Sequence, residues 1–273
     1  MVVAVSSLQF GAAFAKTIFD EVGPGGTVFL RVIFAAVVLV AIWRPAVRGR
    51  TRADWRLIAL FGLCLGAMNL AFYEAIERIP LGIAVTLEFV GPLGVAIAGS
   101  RRLLDLAWVV LAAAGIVLLS DFGTADLDGL GVALALGAGT LWAVYILLSA
   151  RMGRVFPGGS GLALAMVAAA AVLAPFGVAD AGAELLAPEV LAVGAAVAIL
   201  SSAIPYTLEM EALRRMPAGV FGVMMSIEPA VAALAGFIVL DEGLATRELV
   251  AILLVVAASA GAARNAHVPP RDA

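Results

Sequence analysis

Two stretches decide the fold, EAIERIPLGIAVTLEFVGPLGVAIAG (74–99) and EALRRMPAGVFGVMMSIEPAVAALAG (211–236). Offset by 137 positions, they share nine residues, among them Pro80/Pro217, Pro92/Pro229, Gly82/Gly219 and Gly99/Gly236. Alanine matches carry little weight in an alanine-rich chain. Paired prolines and glycines carry more, because they mark the same turn and the same break in two copies of one unit. A weaker echo sets Gly11, Phe14 and Ala15 against Gly139, Trp142 and Ala143 at an offset of 128. Each stretch is an apolar run with a proline inside it and one carboxylate near its middle, Glu88 or Glu228.

The rest of the 273 residues extend the pattern. Apolar residues make up 63% and charged residues 14%, against about 45–50% and 25% in soluble domains. Mean hydropathy is +1.10. A soluble fold needs a polar skin that this chain lacks the material to make, so the bilayer is the expected solvent. A spanning helix takes about 20 apolar residues. Breaks at Gly, Pro and charge clusters then give spans at 1–19, 25–43, 55–73, 82–100, 104–120, 128–148, 160–178, 188–208, 219–239 and 248–263. The expected fold is an all-α membrane protein of ten transmembrane helices, with five-helix repeats at 1–120 and 128–263 and a tail at 264–273. Five is odd, so the second repeat enters the membrane inverted relative to the first. The first segment has no basic lead and reads as a retained span rather than a signal peptide. A lone cysteine, Cys64, precludes an intrachain disulfide. A net charge of −3 with no basic run argues against nucleic acid as a partner.

The arginines test this map independently. With the N-terminus placed inside, Arg44 to Arg56, Arg101, Arg102, Arg151, Arg154, Arg214, Arg215, Arg264 and Arg271 all fall on the cytoplasmic side. Only Arg78 and Arg247 fall outside. Cytoplasmic loops retain positive charge, so both termini are expected in the cytoplasm.

Four ionisable residues lie within the spans: Lys16, Arg31, Glu88 and Glu228. Each costs about 2.5–3.5 kcal/mol near the bilayer centre even on lenient insertion scales, so they should face one another, water or cargo. Lys16 stands one turn before Asp20 and can equally snorkel toward it. Arg31 lies two turns inside its span, where it can meet cargo or pair with a glutamate. Pro92 cannot donate to the carbonyl of Glu88 four residues earlier, and Pro229 likewise deprives Met225. Each half therefore offers a broken helix with a carboxylate at mid-depth, a feature tolerated where it lines a cavity or neighbours satisfy it again. Asn69, Tyr73, Thr86, Trp142, Tyr145, Ser201, Ser202, Tyr206 and Ser226 are candidates to complete a pocket, although singly each suits interhelical packing as well. Gly62-xxx-Gly66 and Ala232-xxx-Gly236 are close-packing motifs. Glu209 and Glu211 beside Arg214 and Arg215 read as a solvated ion-pair cluster, and His267 belongs to the tail.

The segments FGAAFAKTIFDEVGP (10–24), PLGIAVTLEFVGPLGVAI (80–97), LALGAGTLWAVYIL (134–147), AILSSAIPYTLEMEAL (198–213) and FGVMMSIEPAVAALAGFIVLDE (221–242) carry a resemblance. On them the chain resembles the threonine/homoserine exporters of the EamA-type branch of the drug/metabolite transporter superfamily, from about Phe10 to Ala263. The resemblance implies two inverted five-helix halves in the plasma membrane of a bacterial cell. It also implies efflux of small neutral amino acids coupled to protons, with no cofactor. Lys16, Glu88, Trp142, Tyr206 and Glu228 fall within the matched motifs.

The expected cargo is a zwitterion. It needs an anion for its ammonium, from Glu88 or Glu228 with the freed carbonyls, and donors for its carboxylate, from Arg31 or Lys16. Either glutamate is also a candidate carrier of the coupled proton. The substrate-binding set is thus Lys16, Arg31, Asn69, Tyr73, Glu88, Trp142, Tyr145, Tyr206, Ser226 and Glu228. A broader drug or metabolite exporter is the nearest rival, since the aromatics suit flat ligands too. An intramembrane enzyme is disfavoured because no span holds a histidine or a Cys/His pair. A passive channel leaves the inverted halves without a purpose.

Overall fold

The computed structural model describes residues 2–98, 103–119, 127–205, 208 and 225–265. The described residues are helical throughout, joined by short turns. The helices are α1 (Val2–Lys16), α2 (Phe19–Trp43), α3 (Arg52–Arg78), α4 (Leu81–Glu88), α5 (Val90–Ala98) and α6 (Leu103–Leu119). After these come α7 (Gly129–Val155), α8 (Ser160–Ala181), α9 (Pro188–Ala198), a π-helical turn (Ile199–Ala203), α10 (Glu228–Leu240) and α11 (Thr246–Asn265). A 3₁₀ turn, Gly182–Leu186, links α8 to α9.

Among the described residues, four helical stretches, Phe19–Trp43, Arg52–Arg78, Gly129–Val155 and Ser160–Leu186, are long and apolar enough to cross a membrane. Val2–Lys16, Leu81–Val95, Pro188–Ala203 and Glu228–Leu240 are apolar but shorter. At 1.5 Å per residue, a 15-residue helix covers only about 22 Å of a hydrocarbon core about 30 Å thick.

Local chemistry sets the helix ends. Thr51 caps α3 through a reciprocal box: its hydroxyl accepts from the Asp54 N–H at 3.2 Å, and the Asp54 carboxylate accepts from the Thr51 N–H at 2.9 Å. At its far end α3 runs to Arg78, and Ile79 turns extended (φ −131°, ψ 157°) ahead of Pro80, as a residue before proline prefers. Asp128 caps α7 by accepting from the Leu130 and Gly131 N–H groups. Within α2 the helical path breaks at Gly23 (φ 65°, ψ 170°), and Pro24 restarts it. The cap there comes from another helix: the Asp180 carboxylate accepts from the Gly25 N–H at 2.9 Å. Where both ends are described, observed and expected boundaries agree within a few residues, except that α2 starts earlier, α3 and α7 run longer, the span expected at 82–100 divides at Phe89 and the span expected at 188–208 changes register in the π turn. The start expected at 219 lies outside the described residues.

Small residues let the helices close on one another. Gly62 and Gly66 of α3 face Ala165, Ala168, Ala169 and Val172 of α8, and a methyl at Gly62 would stand 2.8 Å from the Ala165 carbonyl. Gly82 of α4 sits against the backbone of Ala233 in α10. Gly91 of α5 and Gly139 of α7 touch backbone to backbone. Further packing pairs α2 with α8, α3 with α7, α6 with α11 and α1 with α10. The core they enclose includes Tyr73, Phe61, Leu65, Ile76, Ile83 and Leu87, all essentially inaccessible.

Candidate functional site

The site is built around Arg31. This guanidinium is only 6% exposed, within a helix whose neighbours are almost all apolar. Its Nε donates to Ser202 Oγ at 3.3 Å, Nη1 to Tyr73 Oη at 3.3 Å and Nη2 to the Ser201 carbonyl at 3.1 Å. The guanidinium carbon also lies 5.5 Å from the Tyr73 ring centroid, within cation–π range. Three helical segments thus converge on one buried cation: α2, α3 and the π turn.

Glu88 closes α4 within electrostatic reach of Arg31 and keeps part of its surface accessible. Arg31 lies seven residues beyond Pro24, and Glu88 seven beyond Leu81. Each therefore sits about 10 Å along its own helix from that residue. The carbonyl that Pro92 frees on Glu88 meets the backbone of Gly139, where a Cβ would stand 2.5 Å from the oxygen. The sequence had offered that carbonyl to a cargo ammonium; packing with α7 covers it instead. Trp142, one turn beyond Gly139, sets its ring edge-on to Phe89 with centroids 5.3 Å apart.

The other expected residues divide. Asn69 is buried one turn from Tyr73, and its amide donates to the Leu65 carbonyl at 2.8 Å. Tyr145 stacks on Phe61 at 5.3 Å, further along α3 from the Arg31 cluster. Ser226 and Glu228 are both buried, Glu228 as the first residue of α10. Thr86 donates back to the Gly82 carbonyl within α4. Tyr206, Glu209, Glu211, Arg214, Arg215 and His267 lie outside the described residues.

Lys16 does not join the cluster, nor does it reach toward Asp20. Its ammonium pairs with Glu242 at 2.6 Å. The sequence reading missed Glu242 because that residue lies in a loop between spans, 226 positions away. Glu242 also accepts from the Leu81 N–H at 2.8 Å, capping α4. A C-terminal signal aims it: Asp241 adopts the left-handed conformation (φ 54°), and the Glu242 N–H returns to the Gly236 carbonyl at 3.2 Å. Gly236 leaves room for it, since a Cβ there would fall 2.6 Å from the Glu242 carboxylate and push it aside. One carboxylate thereby ties together α1, α4 and α10 at their common end.

The sequence reading did not anticipate the π turn. It named Ser201 and Ser202 as polar candidates but did not connect them with Pro205, which follows one turn later by the rule applied to Pro92 and Pro229.

Comparison with known proteins fits this arrangement. The model of the EamA-like transporter family matches twice, at residues 1–121 and 129–264. "Threonine/homoserine exporter RhtA" of Escherichia coli (strain K12) is 46% identical over 264 residues, covering 96% of this chain and 89% of that protein. The protein of the same name in Salmonella typhimurium (strain LT2) is 44% identical over 274 residues, covering 99% and 92%. "Uncharacterized transporter YwfM" of Bacillus subtilis is 28% identical over 239 residues, 84% of this chain and 80% of that protein. One solved crystal structure superimposes with a TM-score of 0.62 at 20% identity, covering 96% of each chain, a likeness of fold alone. A buried cation and a nearby carboxylate in an apolar bundle, with family matches across both halves, place the chain: it belongs to the EamA-like transporter family.

Proposed function

We propose that the protein is a secondary active exporter of small neutral amino acids, with threonine and homoserine as its first substrates. The observation that carries this reading is the proximity of Arg31 and Glu88, a buried guanidinium and a carboxyl group brought within electrostatic reach of each other in a largely apolar bundle. A zwitterion presents the complementary pair, a carboxylate for the guanidinium and an ammonium for the glutamate. The exporters that are 44% and 46% identical support the same cargo. Lys16 is engaged with Glu242, so Arg31 takes the carboxylate. Trp142 and Tyr145 pack on other rings, which weighs against a site built for flat ligands.

The reading includes two inverted five-helix halves, 1–120 and 128–263, in the bacterial inner membrane with both termini in the cytoplasm. The packing pairs support it. Exchanging the halves turns the α1–α10 contact into the α7 contact with α4 and α5, and the α3–α8 contact into the α9–α2 contact. It maps α2–α8 and α6–α11 onto themselves. Such halves exchange conformations to open a central site to each side in turn. One intramembrane glutamate, Glu88 or Glu228, carries the coupled proton. Arginine-rich loops on one side support the orientation.

The test is efflux. Cells with and without the protein are loaded with a threonine-containing dipeptide, and external threonine is followed. Faster release with the protein is the expected result; equal release would overturn the proposed cargo while leaving the fold untouched.

A further inference from the structure

The π turn has a chemical consequence. In it the Ile204 N–H bonds to the Ile199 carbonyl, five residues back. The next residue, Pro205, has no N–H to give, either to Leu200 in π register or to Ser201 in α register. Both carbonyls are taken up from outside the helix. Ser7 Oγ of α1 donates to Leu200 at 2.7 Å, and Arg31 Nη2 of α2 donates to Ser201 at 3.1 Å. Ser202, within the same turn, holds Nε. Gly11 of α1 lies directly against Ser201, leaving no room for a side chain there. Interruptions of this kind inside α-helices concentrate at functional sites.

Resting on the exporter reading above, we propose that the π turn and Pro205 form a positioning device that fixes Arg31 as the reader of the substrate's carboxylate. Ser202 and Pro205 are then positioning residues for specificity. A flexible arginine in an apolar bundle would lose the planar two-point match that a guanidinium offers a carboxylate. The backbone acceptor at Ser201, the hydroxyl at Ser202 and the phenol of Tyr73 hold its plane from three directions. This makes the site choose amino acids over the corresponding amines and amino alcohols. A site built to bond a polar group rejects analogues that lack it far more strongly than a hydrophobic pocket rejects a size change.

The test is competition against labelled threonine on purified protein, comparing unlabelled threonine with threoninol, in which the carboxylate is an alcohol. Wild type should prefer threonine by at least about ten-fold, the scale of one charge-assisted hydrogen bond. Ser202→Ala should shrink that preference several-fold by weakening threonine alone, and Ser202→Thr, which keeps the hydroxyl, should restore it. Pro205→Ala returns an N–H that competes for the Ser201 and Leu200 carbonyls, and should shrink the preference in the same way. If Pro205→Ala does not fold, the Ser202 pair decides. An unchanged preference in Ser202→Ala, or equal weakening of both ligands, overturns the positioning role while the exporter reading stands. Failure of wild type to bind threonine overturns the exporter reading and this assignment with it.

Discussion

Lys16 at the end of α1 pairs at 2.6 Å with Glu242, which lies 226 residues later in the turn after α10. The pair is mostly shielded, with side-chain exposures of 20% and 15%. Glu242 also caps α4, so removing it strands an ammonium and an N–H together. Because each partner leaves the other without its counterion, Lys16→Met and Glu242→Gln should each lower the midpoint of thermal unfolding in detergent. A double-mutant cycle should give a coupling energy of about 0.5–3 kcal/mol. Additive single effects would mean that the contact contributes nothing.

The meeting of Glu88 with Gly139 predicts a sharp steric asymmetry along α7. Gly139→Ala places a methyl 2.5 Å from a backbone oxygen that cannot retreat, whereas Gly137 has nothing within 4 Å. Gly139→Ala should cost about 1–3 kcal/mol as overpacking. Gly137→Ala should be neutral or slightly stabilising. Folded yield and unfolding midpoint, measured side by side, check the contrast, and matched behaviour would refute the close crossing.

Asp180 supports the restart of α2 after its break at Gly23. Asp180→Ala removes the acceptor for the Gly25 N–H and should cost about 1 kcal/mol, as loss of an N-cap does. Asp180→Asn retains an acceptor and should recover most of that loss. Unfolding midpoints for the two variants suffice, and equal losses would show that charge rather than capping matters.

The proposed proton coupling can be assigned to Glu88 or to Glu228. In proteoliposomes, threonine-driven proton flux should vanish in Glu88→Gln or in Glu228→Gln, while threonine exchange without net flux survives in that variant. If both variants keep wild-type coupling, neither glutamate carries the proton.

Much of this architecture is legible in the sequence because the bilayer imposes simple rules. Apolar runs of fixed length give the helices, and arginine-rich links punctuate them. Intramembrane charge singles out Lys16, Arg31, Glu88 and Glu228, since burying any of them without compensation is costly. What sequence could not supply is the pairing across distance. Glu242 sits outside any span and carries no unusual local signal, so its contact with Lys16 emerges only from the fold. The Glu88 carbonyl illustrates the converse: Pro92 frees it as expected, but whether a cavity or a neighbouring backbone receives it depends on a glycine in another helix. The π turn lies between these cases. Pro205 announces a freed carbonyl by the rule that served for Pro92, yet only the fold reveals that a guanidinium fills it.

The most direct measurement of the central claim is counterflow of labelled threonine into proteoliposomes holding the purified protein and unlabelled threonine. The account predicts saturable accumulation, inhibition by homoserine, and loss in Arg31→Met under conditions where the variant remains folded. Accumulation no greater than in protein-free liposomes, or full activity in a folded Arg31→Met, would contradict it.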